Sequence, residues 1–490
     1  MDTLLIDPPQ LSLKRVLTDR GYNLGLTSVA AYLRANGIES AIVTADLLID
    51  PPKINYLKDP LAMMIPGGLR ISAAEMATRH QEIARAVNEP DHLIWQKISR
   101  VVRDTKPKVV GISYLTPMSG IVRKIARIVK AVNPEIWVVV GSYHPTFCAE
   151  EILRNPDIDF AVVGEGEVPF LRLVKEIKSD SPKWDSIPSL CYRDQTGEVR
   201  RTPSAPRLNN LDDLPFPARD LVMFSNYDFY RVHSVITARG CPYHCSFCSD
   251  QYFYPGKMRR RSVENVLKEL ISLKEDYPKM DYVDFVDGTF TYDRPYLETL
   301  CHSLIDQDLK ISWRCTARYD TIDPGVLKLM KQAGCSAMYI GLESGSDEVL
   351  KELNKNMTIG RIIEASKIVR DSGIICVASV LLGTPDENKS NLEDTLSVMR
   401  KFNTDFFDVH TFIPLAGTEY YNSLSQAARD SIDWNRIGYK SWETNFTHNL
   451  SLEELNGYRR RAYAISDRQR KRSIASIGSR LLLRSLVKRR

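Results

Sequence analysis

No stretch of this chain approaches the ~20 uncharged apolar residues that cross a bilayer, so the sequence offers no membrane span. The first residues, Met1-Asp2-Thr3-Leu4-Leu5-Ile6-Asp7, lack a basic segment followed by an apolar run, and they read as a first strand rather than a leader. The nine cysteines show none of the spacings of a disulfide scaffold. There is no second C-x2-C pair to complete a four-ligand structural zinc site. Nor does any aromatic residue follow Tyr463 in the basic C-terminal stretch, which disfavours stacking on single-stranded nucleic acid, and no nucleic-acid partner is expected.

What remains is ordinary globular material. The chain has 490 residues, 43% hydrophobic and 26% charged, enough for two or three domains with their own cores. The net charge of +5 is unevenly placed: Arg468 to Arg490 holds nine Lys or Arg and no acid, which leaves −4 for the rest. Ile474, Ile477, Leu481, Leu482, Leu483, Leu486 and Val487 are interspersed among those basic residues. Such a helix can lie on an anionic membrane surface. The alternative, a helix packed on its own protein with a solvated basic face, is slightly favoured.

Three of the nine cysteines crowd into one run, Arg239-Gly240-Cys241-Pro242-Tyr243-His244-Cys245-Ser246-Phe247-Cys248. Thiolates hold iron–sulfur clusters. Three close cysteines can grip three corners of a cubane and leave one iron open. Cys148, Cys191, Cys301, Cys315, Cys335 and Cys376 lie singly, and each is expected to be a small buried hydrophobe. An open cluster is oxidation-prone, so a reduced, cytoplasmic and low-oxygen setting fits.

The C-x3-C-x2-C spacing resembles that of the radical S-adenosylmethionine (SAM) enzymes. The resemblance implies a 4Fe-4S cluster on Cys241, Cys245 and Cys248, with SAM on the open iron. One electron then cleaves SAM to a 5′-deoxyadenosyl radical. A reductant such as flavodoxin or ferredoxin is implied as a partner. Phe247 holds the position where the family packs the adenine.

Along the chain, apolar runs alternate with helical patterns. Leu4 to Asp7, Ala41 to Thr44, Val109 to Ser113, Trp137 to Gly141 and Phe160 to Gly164 read as strands. Leu26 to Ala35, Ile121 to Val132 and Ala149 to Arg154 read as helices, and a polar, helix-rich insertion spans about 50–100. Continuous apolar strands of this kind indicate a doubly wound parallel α/β sheet, Rossmann-like, over 1–180. Ligands of such sheets bind at the carboxyl ends of the strands. There the chain places Ser113, Gly141, Ser142, Gly164, Glu165 and Gly166. Ahead of a radical SAM core, these turns resemble the cobalamin-binding domain fused to one branch of that family. The D-x-H-x-x-G motif that ligates cobalt elsewhere is missing: the one Asp-x-His, Asp408-Val409-His410, is followed by Ile413 where Gly is needed. That absence argues against mutase-like ligation, not against cobalamin. His144 is read as a polar surface group and not as a ligand.

Residues 181–233, centred on Leu211-Asp212-Asp213-Leu214-Pro215-Phe216-Pro217, read as a linker. From 234 to 428 six strands alternate with helices, beginning with Val235 to Ala238 and ending with Asp405 to Phe412, as in the partial (β/α)6 barrel of radical SAM cores. A small helical region with the basic tail fills 429–490 and opens with a capping box at Ser451 to Glu454.

At the barrel mouth the resemblance assigns Asp287 to the SAM amino group, Glu343 to its ribose or methionine moiety and Gly383 to its adenine. Arg318 is assigned to the carboxylate through its planar fork, against the alternative of a surface salt bridge. Lys355 recurs in the motif set without a mechanism. Together these features imply a cobalamin-dependent radical SAM methyltransferase that acts at an unactivated carbon of a small molecule. Oxidative cyclisation or rearrangement with the same cofactors is the near alternative, and a non-catalytic cofactor or nucleic-acid binder the distant one. The tail suggests a hydrophobic substrate and a peripheral membrane contact.

Overall fold

The computed structural model describes residues 1–9, 23–45, 48, 89–223, 232–256 and 258–487, with side chains to residue 476. The expected insertion at 50–100 lies largely outside the described residues.

Seven strands build the first sheet: β1 (Thr3–Asp7), β2 (Ser40–Thr44), β3 (Val109–Ser113), β4 (Trp137–Gly141), β5 (Phe160–Val162), β6 (Leu190–Arg193) and β7 (Val199–Arg201). Their order is β2-β1-β3-β4-β5-β6-β7. The first five are parallel. Every residue of β1, β2 and β3 is buried, as helices on both faces require. The last two strands run antiparallel and extend the sheet.

Those two strands correct the reading of 181–233 as a linker. The hairpin turns at Asp194-Gln195-Thr196-Gly197, where the Asp194 carboxylate accepts from Thr196 and Glu198. The proline-rich run beyond it is bolted down on both sides. The Ala218 N–H donates to Thr27 O at 2.9 Å, and the Met223 N–H to Ile42 O at 2.8 Å. Arg219, buried, pairs with Glu269 of the barrel helix Val263–Asp276 at 2.5 Å.

The chain then forms β8 (Val232–Val235), a short ribbon of β9 (Ala238–Arg239) with β10 (Arg259–Arg260), and β11 (Tyr282–Phe285), β12 (Ser312–Ala317), β13 (Cys335–Glu343), β14 (Ile375–Leu382) and β15 (Phe406–Thr411). The second sheet has six parallel strands in the order β15-β14-β13-β12-β11-β8, an open, partial barrel. Outward residues such as Val283, Trp313, Met338, Val380 and Val409 form its core with the surrounding helices. Alternate residues point into the lumen, and many are polar.

The two halves share apolar surface. Ile413, Ala416, Tyr421 and Trp434, from beyond β15, are buried in the cluster that holds Ile112, Ile121 and Val140 of the first half. The last helix, Leu452–Val487, opens with the expected capping box: the Ser451 N–H donates to Glu454 and the Glu454 N–H to Ser451 Oγ. It packs along β15. Ser466 Oγ donates to Phe407 O at 3.0 Å, Gln469 to Thr404 O at 2.6 Å, and Ile474 packs on a cluster containing Phe406 and Val377. The described part of the basic tail is therefore a wall of the barrel, which agrees with packing on its own protein.

One helix starts earlier than expected. The segment after β4 is helical from Tyr143 to Ile152, not from Ala149. Pro145 sits in its first turn, where a missing N–H costs nothing.

Candidate active site

The strand ends bring the cysteine loop to the mouth of the barrel. Cys241, Cys245 and Cys248 are each partly exposed, whereas the other six cysteines are buried. Side chains surround the three thiols. Cys241 Sγ lies 3.4 Å from Thr289 Oγ1, and the Arg318 guanidinium reaches to 3.8 Å of Cys245 Sγ. A Cβ on Gly288 would stand 3.1 Å from the Cys241 Cβ, a tight contact that the glycine avoids. The loop backbone is pinned by the Ser246 N–H to Leu353 O at 3.1 Å and by Asn354 to His244 O at 2.7 Å. Among the described residues no three His, Cys, Asp or Glu side chains stand at metal-ligand spacing. Free thiols are the ligand type that an iron–sulfur cluster takes.

Burial pushes the Cys245 thiol up, while Lys355 and Arg318 pull it down. Those two cations belong to one buried network. Arg318 forks onto Asp320 at 3.0 Å, donates to Lys355 O at 2.7 Å and lies over the Tyr243 ring. At 5% exposure it is not the surface salt bridge of the alternative reading. Lys355 Nζ lies 2.8 Å from Glu343 Oε1, and Ser379 donates to the other oxygen at 3.2 Å. The partner of Lys355, unassigned from sequence, is thus Glu343. Phe247 packs against Val349, Leu353, Leu381 and Phe412.

Asp287 and Gly383 turn inward. The Asp287 carboxylate accepts the Thr237 N–H at 2.7 Å, the Ala238 N–H at 3.3 Å and the Thr237 hydroxyl. It ties β11 to the strand that feeds the cysteine loop. Burial pushes its carboxyl up from the ordinary value. The Gly383 N–H donates to Glu387, and its Cα faces Leu455 of the last helix.

The second group of expected residues meets elsewhere. Ser113, Gly141, Ser142, Gly164, Glu165 and Gly166 all line one cavity of about 720 Å³. Asn23 braces this rim, donating to Asp7 at 3.0 Å and to Ser113 Oγ at 3.1 Å. Ser142 adopts φ 87, ψ −159, a backbone region almost reserved for glycine. The Glu165 carboxylate is committed to Arg239 at 2.7 Å and Arg259 at 2.8 Å. His144 corrects its reading as a surface group. It is buried, with its ring 4.6 Å from Tyr114 and Nδ1 3.2 Å from Thr116 Oγ1, and burial pushes its pKa down to about 3. It does not line the cavity.

The cavity continues from these loops into the barrel lumen, where Ser234, Asp284, Arg314, Asp408 and His410 face it. The last helix contributes Ser466, Asp467 and Arg470. Sequence reading missed this lumen face and also the Tyr143–Asp250 hydrogen bond, which joins the first sheet's loop to the residue two beyond Cys248. The period-two alternation of β12, Trp313-Arg314-Cys315, was the available signal for the lumen. Nothing local signals a pair 107 residues apart.

Residues 235–399 match the Radical SAM superfamily model and residues 64–174 the B12 binding domain model. An uncharacterized methyltransferase of Pyrococcus horikoshii is 29% identical over 85% of this chain and 91% of its own length. The hopanoid C-3 methylase of Methylococcus capsulatus is 27% identical over 66% of this chain and 61% of its own. The anaerobic magnesium-protoporphyrin IX monomethyl ester cyclase of Rubrivivax gelatinosus is 28% identical over 67% of this chain. This chain spans 60% of that cyclase's length. In fold, it superposes on the cobalamin-dependent SAM radical enzyme OxsB, solved with aqua-cobalamin and SAM, at a TM-score of 0.62 and 20% identity, over 81% of this chain and 52% of that one. The radical SAM methyltransferase TsrM of Kitasatospora setae gives 0.60 at 15% identity, over 84% and 75%. The chain thus carries a Radical SAM superfamily domain behind a B12 binding domain, the two arranged around one cavity with the C-x3-C-x2-C loop on the second.

Proposed function

We propose that the chain is a cobalamin-dependent radical SAM methylase that transfers a methyl group to an unactivated carbon of a small molecule. One observation carries this reading: a single cavity runs from the carboxyl ends of the first sheet into the lumen of the barrel, so a B12-type cofactor and a substrate would share one chamber. The named relatives include methylases, and the proposal extends their reaction type, not their substrates.

Cys241, Cys245 and Cys248 would hold a 4Fe-4S cluster, and Phe247, Arg318 and Glu343 would border SAM beside it. The turns at Ser113, Gly141, Ser142, Gly164, Glu165 and Gly166 would take cobalamin. These cofactors supply a carbon-centred radical and a methyl group when bound. The chain's own residues do the rest. Arg318, held by Asp320, presents a fixed cation beside Cys245. Lys355 and Ser379 orient Glu343. Arg239 joins the cysteine loop to Glu165 and Glu167 at the chamber rim. Asp287 and Gly383 support SAM indirectly, through the loop and the last helix they hold.

The test is anaerobic reconstitution with iron, sulfide and cobalamin, followed by SAM and dithionite. The expected products are 5′-deoxyadenosine and, only with cobalamin, S-adenosylhomocysteine. Replacing the three cysteines by alanine abolishes both products and the iron–sulfur absorbance. 5′-Deoxyadenosine without S-adenosylhomocysteine would move the reading to oxidative cyclisation. A flavodoxin or ferredoxin is the expected physiological reductant. Among the described residues, no helix is long and apolar enough to cross a membrane.

A further inference from the structure

One contact between the two halves touches both loops that would hold a cofactor. Tyr143 follows the rim residue Ser142 and opens the helix Tyr143–Ile152. Its hydroxyl donates to Asp250 Oδ1, 107 residues away in the chain. Its ring stacks on Phe253, with centroids 4.3 Å apart and planes 26° apart. Asp250 stands two residues after Cys248 and opens the short helix Asp250–Phe253. Its other oxygen lies 3.1 Å from the place of a Cβ on Gly288, the glycine that faces Cys241. Ser142, Tyr143 and Phe253 all line the chamber.

Two features make this contact more than a join between halves. The first is backbone strain beside it. Ser142 holds φ 87, ψ −159, and a residue other than glycine keeps such a conformation only where its surroundings over-determine it. Thr146 binds the Ser142 carbonyl through its N–H at 3.3 Å and its hydroxyl at 2.7 Å. Tyr143, the next residue, is anchored in turn by Asp250 and Phe253. The second feature is the way the cysteine loop is held. Its middle is tied to the barrel, through Ser246 to Leu353 and His244 to Asn354. Its two ends are tied to the rim. The Arg239–Glu165 pair holds the end before Cys241, and Tyr143 holds the end after Cys248. A substrate carbon in this chamber has to stand within reach of two cofactors at once, and misplacement by ~1 Å can cost ~100-fold in rate.

We propose that Tyr143 is a positioning residue, which through Asp250 and Phe253 fixes the separation between a cluster on the cysteine loop and a B12-type cofactor at the rim. The hydroxyl sets the loop's approach, and the ring stack sets its tilt. This inference rests on both cofactors binding where the methylase reading puts them.

The test is a pulsed electron-spin measurement of the distance between the reduced cluster and cob(II)alamin, in the reconstituted full-length protein and without turnover. Wild type is expected to give one narrow distance. Tyr143→Phe keeps the ring and loses the donor, so it should load both cofactors and give a longer or broader distance. Its ratio of S-adenosylhomocysteine to 5′-deoxyadenosine should fall about tenfold or more. Tyr252→Phe is the control, since it removes a phenol of the same short helix that reaches Glu419 at 3.3 Å instead of the rim. It should match wild type. Should Tyr143→Phe fail to load, Asp250 decides from the other end. Asp250→Asn still accepts from the phenol and should keep the wild-type distance, whereas Asp250→Ala should lengthen or broaden it. A wild-type distance or product ratio in loaded Tyr143→Phe, a wild-type distance in Asp250→Ala, or an equal change in Tyr252→Phe would overturn the positioning role. Wild type that yields no S-adenosylhomocysteine would fail the methylase reading and leave the distance to decide this one.

Discussion

Arg239 Nη1 lies 2.7 Å from Glu165 Oε1. One residue stands two positions before the first cysteine and the other in the turn after β5, so a single ion pair sets the cysteine loop against the chamber rim. Arg239 also reaches Glu167 at 2.5 Å, and the Glu167 carboxylate is held low by this cation despite its burial. Removing one partner of a buried pair strands the other. Arg239→Met is therefore expected to cost ~3–5 kcal/mol in urea unfolding. Arg239→Lys should recover only part, because an ammonium cannot fork between two carboxylates. A loss of under ~1 kcal/mol for Arg239→Met would show the pair to be a solvated contact.

Lys355 and Glu343 make the second prediction. Both are buried beside Cys245. Lys355→Met leaves Glu343 with Ser379 as its remaining partner of the two described here. The variant should keep its iron–sulfur absorbance yet bind SAM at least ~10-fold more weakly, since a misoriented charged hydrogen bond is worth ~1.5–3 kcal/mol. Unchanged SAM affinity would remove Glu343 from the binding surface.

Glu387 gives a pH dependence. Burial pushes its carboxyl up from 4.5 to about 8, against the opposing Gly383 and Thr384 N–H donors. The folded state thus holds a proton that the unfolded state releases above 4.5. The stability linked to this proton is full below pH 4.5 and is lost as pH rises through about 8. Glu387→Gln keeps an acceptor for the Gly383 N–H and cannot ionise. It should be more stable than wild type by ~1–3 kcal/mol above pH 8 and should flatten the melting profile between pH 5 and 8. Parallel profiles for the two proteins would contradict this.

Gly417 makes a steric prediction. Its φ is 88, and an added Cβ would come within 2.7 Å of the Phe147 ring. Phe147 belongs to the first half and Gly417 to the segment after the barrel, so alanine there wedges the halves apart. Gly417→Ala is expected to destabilise by ~1–3 kcal/mol. The double variant Gly417→Ala/Phe147→Leu should recover the part of the loss due to the ring contact and keep the part due to the positive φ. Additive losses would separate the two sites.

Much of this was legible in the chain. Val109 to Ser113 and Trp137 to Gly141 announce buried parallel strands because both their faces are covered, so the apolar run is unbroken. Ser451 and Glu454 announce a helix start because capping is local. The β6–β7 hairpin was hidden because an edge ribbon such as Val199-Arg200-Arg201 is polar and looks like linker. The six rim residues line one cavity because they stand at the carboxyl ends of neighbouring strands, whereas Asp287 spends its carboxylate on Thr237 and Ala238. That outcome depends on where Thr237 and Ala238 come to rest, and no local pattern carries it. The lumen face was hidden for a related reason: Lys440 meets Asp408 from 32 residues away, and Asp467 and Arg470 reach the lumen only because the last helix packs along β15.

That packing has a consequence for assembly. Every strand of both sheets leaves the ribosome before Ser466 and Arg470 do. The flank of the chamber along β15 is therefore made by the part of the chain synthesised after both sheets.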